Sequence, residues 1–400
     1  MERRDVVICG AGPAGTATAL HLVRRDPALA GRILVLDKAR HPRPKVCAGG
    51  LIPHALACLD ELEVGLRVPH VMVDRARVEV PRRRVEVEGR GFCAIVRRAE
   101  FDASLVAAVR ARGVEVREDE KVHTLRRDGE GVRVVTARGE LGARLVVGAD
   151  GSGSLVRRRL LAGADDDRRS LGRAVMTDVP LAGASAWDGH ARARYDFDFR
   201  AVPAGLAGYA WAFPCLIGGR PHANVGVYAR RAGAGPALVP LLDAVLAELG
   251  AARVRHEAAP IRCWARTPFV APHVLLVGDA AGAEPLMGEG ISFAFEYGRW
   301  AADEIARALA AGDLALAGAE RRFRRSWAGR KLDRLAQAAT MFYGPGARLW
   351  LGLAAEWRGA QAVGLRWYNG VDGWDRRSGW QALWSALRGT AVARAPLEVQ

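Results

Sequence analysis

The sequence predicts an α/β fold: a Rossmann-like lobe assembled from discontinuous segments, with an inserted antiparallel sheet and a helical C-terminal tail. Three observations carry this. Asp5-Val6-Val7-Ile8-Cys9 is a β-branched run that breaks at Gly10-Ala11-Gly12-Pro13-Ala14-Gly15 into the helically spaced stretch Thr16–Arg25. Two more apolar runs, Leu145–Gly148 and Val274–Gly278, have the look of buried parallel strands, and each ends at an acid, Asp150 or Asp279. Between these pieces the pattern alternates with period two, as half-wet antiparallel strands do.

Taken in order, Ile33-Leu34-Val35-Leu36 is the second strand and Asp37 closes it. His41 to Leu51, with two prolines and two glycines, is a structured loop on the edge where open α/β sheets bind ligands. Leu51–Leu62 has helical spacing, Val71–Val96 alternates, and Arg98 precedes a helix over Glu100–Arg112. A strand follows at Val114–Val116, then a hairpin of Lys121–Leu125 and Val132–Thr136 around Asp128-Gly129-Glu130-Gly131. His190–Phe199, Tyr209–Pro214 and Asn224–Tyr228 continue the alternating sheet, and Ala237–Leu249 is a helix. Ile291–Ala311 and Glu320–Ala339 are long helices, and beyond residue 340 come Trp350, Trp357, Trp367, Trp374, Trp380 and Trp384 on an Arg-bearing tail. The expected division is 1–70, 97–165 and 270–335 for the nucleotide lobe, 71–96 and 166–269 for the inserted substrate sheet, and 336–400 for the tail.

Four hundred residues allow two or three lobes with a large core. A net charge of +15 could face nucleic acid, an acidic partner or anionic headgroups. Its Arg residues are scattered through every segment and Lys occurs at only four positions, a distribution that codon composition explains better than a docking face does. No nucleic-acid motif stands out, so no nucleic-acid partner is expected. The six Cys form no C-x-x-C pair and show no metal-ligand spacing with His, so no metal is expected. Nothing at the N-terminus resembles a signal peptide and no apolar stretch reaches the roughly 20 residues of a membrane span. The expected location is the cytoplasm. The tail is expected to be a packed helical cap, with a peripheral headgroup contact through Trp and Arg as the alternative. Oligomeric state has no signature in the sequence.

A strand–glycine turn–helix aims backbone N–H groups and a helix dipole at one point, where a pyrophosphate can sit. Gly10 permits the turn, Gly12 lets the phosphate approach, and Gly15 lets helix and strand pack. Asp37, 22 residues beyond Gly15, is placed to accept from ribose hydroxyls. Asp150-Gly151 and Gly278-Asp279 repeat the acid-bearing strand end, and Gly288-Glu289-Gly290-Ile291 opens another helix. One ligand needs three such sites only if it is long and extended, which points to FAD. Asp279 then serves the ribityl and pyrophosphate, and the amides of Gly288, Gly290 and Ile291 face the flavin pyrimidine edge.

On these residues the chain resembles the flavoprotein superfamily with the p-hydroxybenzoate hydroxylase fold, and within it the geranylgeranyl reductase family. Pro44-Lys45-Val46-Cys47-Ala48-Gly49-Gly50-Leu51 is similar to that family's Lys-x-Cys-Gly-Gly-Gly loop, and Tyr209-Ala210-Trp211-Ala212-Phe213-Pro214 to its Tyr-x-Trp-x-Phe-Pro strand. The resemblance spans roughly 1–335; Ala48 replaces a usual Gly and Cys215 stands where a Lys often follows. It implies an FAD-binding domain with Lys45 and Arg98 among the cofactor-facing residues. It also implies reduction of C=C bonds in an isoprenoid-like substrate, with NADPH or another reductant as transient donor. Tyr209, Trp211 and Phe213 share one strand face, a slot for a flat or polyunsaturated apolar substrate. Cys47, poised by its loop amides and Lys45, is the candidate proton donor. Three other readings stay open: a flavin monooxygenase of an aromatic or secondary metabolite, a flavin halogenase lacking an evident catalytic Lys, and a non-enzymatic prenyl-binding escort.

Overall fold

The computed structural model describes residues 1–129, 131–161, 170–181, 187–231, 233, 235–252, 254–357, 361, 368 and 397–398. The chain runs β1 (Glu2–Cys9), α1 (Pro13–Arg25), β2 (Ile33–Leu36), β3 (Gly50–Leu51), α2 (Pro53–Glu61), β4 (His70–Val80), β5 (Arg83–Val96), α3 (Arg98–Ala111) and β6 (Glu115–Arg117). It continues through β7 (Val122–Arg127), β8 (Val132–Thr136), β9 (Gly139–Gly148), α4 (Leu155–Leu160), β10 (Leu171–Pro180), β11 (Arg194–Asp198), β12 (Gly208–Ile217), β13 (Arg220–Ala229) and α5 (Leu238–Glu248). It closes with β14 (Glu257–Arg262), β15 (Val270–Ala271), β16 (Val274–Leu276), α6 (Ile291–Ala311), α7 (Ala319–Arg325), α8 (Trp327–Phe342), α9 (Ala347–Glu356) and β17 (Leu397–Glu398).

The first sheet has the order β15-β16-β9-β1-β2-β6, with β16, β9, β1, β2 and β6 parallel and the β7–β8 hairpin joined to β9. Its central strands are buried on both faces, which is why Val6–Cys9 and Ile33–Leu36 are unbroken apolar runs rather than alternating ones. Strands from residues 2, 33, 139 and 274 thus lie side by side, so the nucleotide lobe is indeed assembled from distant segments. Helices α1 and α6 cross against one another where Gly298 meets Ala17; a Cβ on Gly298 would stand 2.6 Å from the Ala17 Cβ. That close approach draws the N-termini of both helices to the same sheet edge.

The second sheet has the order β14-β10-β13-β12-β11-β4-β5-β17, with β3 on β5. It is not wholly antiparallel, as the alternation suggested. β11 pairs β4 in parallel, and β17 pairs β5 in parallel. Period-two alternation reports which face a residue occupies and carries no strand direction, so this was invisible beforehand.

Several element boundaries differ from expectation, among them β11, which begins at Arg194 because residues 190–193 form a turn with Ala193 at φ +47°. α3 begins at Arg98, so that residue lies inside the helix rather than ahead of it. The last parallel strand stops at Leu276, and Gly278–Ala280 form a 3₁₀ turn with Gly278 at φ +57°. The helix expected over Glu320–Ala339 is two, α7 and α8, broken at Ser326, whose backbone is extended and whose hydroxyl accepts from Gly329 N at 3.2 Å. That N-cap restarts the chain in a new direction. α8 also runs through the boundary drawn at 336, and Trp367, Trp374, Trp380 and Trp384 lie outside the described residues. No described helix is long and apolar enough to cross a membrane.

Candidate active site

A cavity of about 1220 Å³ lies between the two sheets, lined on one side by the glycine turns and on the other by aromatic rings. That is more than the 300–1,000 Å³ usual for a single drug-sized ligand. There is room for an extended cofactor and a substrate together.

The three glycines of the first turn have separate roles. At Gly10, φ is +115° and a Cβ would lie 2.3 Å from the Ala149 carbonyl oxygen; at Gly15 it would lie 1.9 Å from the Gly10 carbonyl oxygen. At Gly12 it would meet only the Arg43 guanidinium, at 3.6 Å. Gly12 therefore keeps open the cavity face of the α1 N-terminus, as a cradle for a phosphate requires.

Asp37 is buried behind that turn. Its Oδ2 accepts from Ala11 N at 2.8 Å and its Oδ1 from Ala39 N at 2.9 Å, with Arg43 4.0 Å away. Each oxygen keeps a second lone pair for a ribose hydroxyl. Asp150 is more committed than expected: Oδ2 accepts from Leu155 N (2.6 Å) and Val156 N (3.1 Å), which caps α4. Its Oδ1 is buried without a partner, and burial pushes the carboxyl above the usual range. An unpaired buried acceptor costs roughly 1–3 kcal/mol, so a donor is called for there, and Gly151 at φ +79° leaves the adjoining wall open. Asp279 accepts from the Ser152 hydroxyl at 3.3 Å, and its other oxygen would lie 3.4 Å from a Cβ on Gly290. Gly288, at φ +71°, rests beside the Tyr228 ring, and Gly290 and Ile291 open α6, whose Ser292 amide donates to Glu289 Oε1 at 2.8 Å. The orphaned Asp150 oxygen, the open Gly12 face and the two converging helix N-termini fit an extended dinucleotide. Gly12–Gly15, Asp37, Asp150 and Asp279 are the residues placed to hold it.

Opposite stands β12. Tyr209, Trp211 and Phe213 share its cavity face, each 5–7% exposed, joined by Tyr195, Phe197 and Phe199 from β11 and the turn after it. Ring centroids stand 5.0–6.1 Å apart, from Tyr195–Phe197 at the short end to Tyr209–Trp211 at the long end. Trp211 lies flat across Gly226, where a Cβ would come within 2.2 Å of the indole, and its Nε1 donates to Asn224 Oδ1 at 2.7 Å. Past this wall the lining turns aliphatic, with Val78, Val80, Val85 and Val87 of the β4–β5 hairpin facing Leu351 and Ala355 of α9.

Cys47 and Lys45 both line the cavity, and a second cation, Arg98, interacts with the Cys47 sulfur. Arg98 is locked by a two-point ion pair to Asp102 (2.8 and 2.9 Å), and the Cys47 sulfur lies within its electrostatic reach. Burial opposes the Arg98 charge, and the Asp102 carboxylate and Cys47 sulfur more than offset it. Gly49 N also donates to Cys47 Sγ at 3.3 Å.

Residues 3–191 match the FAD binding domain family. The chain is 31% identical over 327 residues to the menaquinone reductase of Mycobacterium tuberculosis, covering 76% of each. It is 31% identical over 337 residues to digeranylgeranylglycerophospholipid reductase 1 of Methanopyrus kandleri, covering 77% of this chain and 82% of that one. The chain belongs to the geranylgeranyl reductase family of FAD-dependent oxidoreductases. The fold is shared with a geranylgeranyl bacteriochlorophyll reductase-like protein from Thermoplasma acidophilum (TM-score 0.68, 20% identity, 89% of this chain and 97% of that one). It is shared too with the flavin-dependent brominase Bmp2 (TM-score 0.72, 18% identity, 98% of each).

Within this reductase-family chain, sequence reasoning missed the support of the Glu284–Gly290 loop. The Tyr209 hydroxyl donates to Met287 O (2.5 Å), Tyr343 to Leu286 O (2.6 Å), Tyr228 to Pro285 O (3.3 Å) and Tyr368 to Glu284 Oε2 (3.3 Å). Glu284, fully buried, gathers the amides of Leu286, Met287 (2.8 Å) and Glu289 (3.3 Å) on its carboxylate. Burial pushes its carboxyl up to about 7 despite those donors. No short-range signal marks these tyrosines, which come from four different elements. Tyr195-x-Phe197-x-Phe199, by contrast, is a legible period-two stripe. His54 and Cys58, four apart on α2, also escaped notice as a ligand-type spacing; the fold sets them against Glu296.

Proposed function

We propose that the protein is an FAD-dependent reductase of C=C bonds in a long, apolar, isoprenoid-like substrate. One observation carries the reading: the aromatic wall of Tyr209, Trp211 and Phe213 faces the Gly288–Ile291 edge, and the same cavity runs on between aliphatic side chains. A compact aromatic ring needs the wall alone; a prenyl chain uses the wall and the extension. The names of the relatives, a menaquinone reductase and digeranylgeranylglycerophospholipid reductases, support a prenylated substrate.

When bound, FAD supplies the hydride chemistry. Gly10, Gly12, Gly15, Asp37, Asp150, Gly151, Asp279 and the α6 amides bind and orient it. Gly278 lets the 3₁₀ turn carrying Asp279 pass close over α1; a Cβ there would lie 2.7 Å from the Ala14 Cβ. Lys45 lines the same cavity. The rings of β11 and β12 hold the reacting double bond and exclude water. Cys47 gives its proton to the carbon left electron-rich by hydride addition, and Arg98 with Gly49 N–H steadies the thiolate until solvent returns the proton. NADPH or another reductant supplies electrons in transit, since no second G-x-G-x-x-G turn offers a resident nicotinamide site.

The test loads the protein with FAD, reduces it under anaerobic conditions, and adds menaquinone or a geranylgeranyl lipid. The expected product is two hydrogens heavier per reduced bond and forms without oxygen. Product that forms only in air and gains one oxygen atom overturns the reading in favour of a monooxygenase. Cys47→Ala slows turnover by about 10²–10⁴-fold if it is the general acid. An unchanged rate removes it from that role.

A further inference from the structure

We infer that the His54, Cys58 and Glu296 side chains form a binding site for a divalent transition metal, of the zinc class, between α2 and α6. His54 Nε2 lies 2.9 Å from Glu296 Oε1 and Cys58 Sγ 3.9 Å from the same oxygen, with all three ligand atoms within 4.8 Å of one another. Around a tetrahedral zinc with bonds of about 2.0–2.3 Å, neighbouring ligand atoms stand about 3.3–3.7 Å apart. Side-chain shifts of a few tenths of an ångström at Glu296, and of up to about 1 Å between His54 Nε2 and Cys58 Sγ, convert the cluster into a coordination shell. Imidazole, thiolate and carboxylate together are a donor set that favours zinc or cobalt over magnesium or calcium.

The surroundings suit the site. His54 and Cys58, one helical turn apart on α2, face the same side, and the His54 ring is held by Trp327 at a centroid distance of 4.4 Å. Cys58 is buried, and among the described residues its sulfur finds only a long contact to Glu296. The His54 side chain remains 26% exposed, which gives an ion a way in and leaves room for a water as fourth ligand. The titratable groups around the cluster are Arg299, Glu61, Glu289 and, on α1, His21. Arg299 shares one guanidinium nitrogen between Glu61 and Glu296 Oε1, the latter at 3.5 Å. His21 is buried with its Nε2 unpartnered.

A bound ion would staple α2 to α6. α2 follows directly from the Cys47 loop, and α6 opens with the amides that line the cavity. The ion lies outside the cavity and takes no part in the reaction.

The experiment uses the FAD-loaded full chain, free of any affinity tag, titrated with Co²⁺ and then with Zn²⁺. One equivalent of Co²⁺ is expected to give ligand-field bands beyond the flavin's absorption and a sulfur-to-metal charge-transfer band, and Zn²⁺ is expected to abolish both. Cys58→Ser should remove the charge-transfer band, and His54→Gln should weaken binding by about 100-fold or more, each with FAD content unchanged. His54 is partly exposed, so its variant stands as the test if Cys58→Ser fails to fold. Absence of ligand-field bands at about millimolar Co²⁺ in the wild type overturns the inference, as do bands that persist undiminished in His54→Gln.

Discussion

The three glycines of the first turn give a prediction that separates folding from cofactor binding. In Gly12→Ala, φ is −76° and the new methyl meets only an ordinary contact at 3.6 Å, so the apo-protein should lose no more than about 1 kcal/mol. The methyl instead stands where the pyrophosphate must approach. Losing one charge-assisted hydrogen bond costs roughly 1.5–3 kcal/mol, or about one to two decades in FAD affinity. Gly15→Ala puts its methyl 1.9 Å from the Gly10 carbonyl oxygen, where no side-chain rotation relieves it. α1 would have to lift from the sheet, and overpacking of this kind costs about 1–3 kcal/mol or more. Gly10→Ala adds left-handed backbone strain of about 1–2 kcal/mol to its 2.3 Å approach to Ala149 O. Thermal unfolding of the apo-proteins and flavin-fluorescence titration read the two quantities independently. The expected order is near-wild-type stability with weak FAD binding for Gly12→Ala, and lost stability for the other two. A Gly12→Ala protein that binds FAD like the wild type, or a Gly15→Ala protein as stable as Gly12→Ala, refutes the assignment.

Trp211→Ala removes the largest face of the wall and leaves Asn224 Oδ1 without its donor; truncating a buried Trp costs about 3–5 kcal/mol, so the melting temperature should fall and KM rise, and unchanged KM and kcat would remove it from the substrate wall. Glu284 has its folded carboxyl raised to about 7 against an ordinary 4.5, so its contribution is fully present below pH 4.5 and is lost as pH rises toward 7. That amounts to about 3 kcal/mol at most. Denaturant unfolding of the wild type relative to Glu284→Gln should therefore lose ground between those pH values, and parallel stability curves would refute it. On α9, Leu349 (63%) and Leu353 (43%) point outward while Leu351 lines the cavity. Flotation should show binding to anionic vesicles that weakens with salt and with Leu349→Glu/Leu353→Glu; equal binding to neutral vesicles, or none, returns this part of the tail to a packed cap.

The first turn was legible residue by residue, because a phosphate cradle is a local object: strand, glycines and helix lie within 25 residues and their sterics are set by backbone alone. Asp37 followed from a fixed spacing within one βαβ unit, and the alternating aromatics of β11 and β12 followed from period two. What the sequence could not decide is everything that depends on which distant segment lies opposite. Arg98, over fifty positions from Cys47, is brought into its electrostatic reach by the fold, which no spacing in the chain announced. Asp150 looked like Asp37 and Asp279, yet half of its carboxylate caps α4, a use set by how the chain turns after β9. The parallel pairing of β11 with β4, the tyrosines holding the Glu284–Gly290 loop, and the meeting of His54 and Cys58 with Glu296 arise in the same way. Side-chain periodicity specifies a face; only the packing of faces specifies a neighbour.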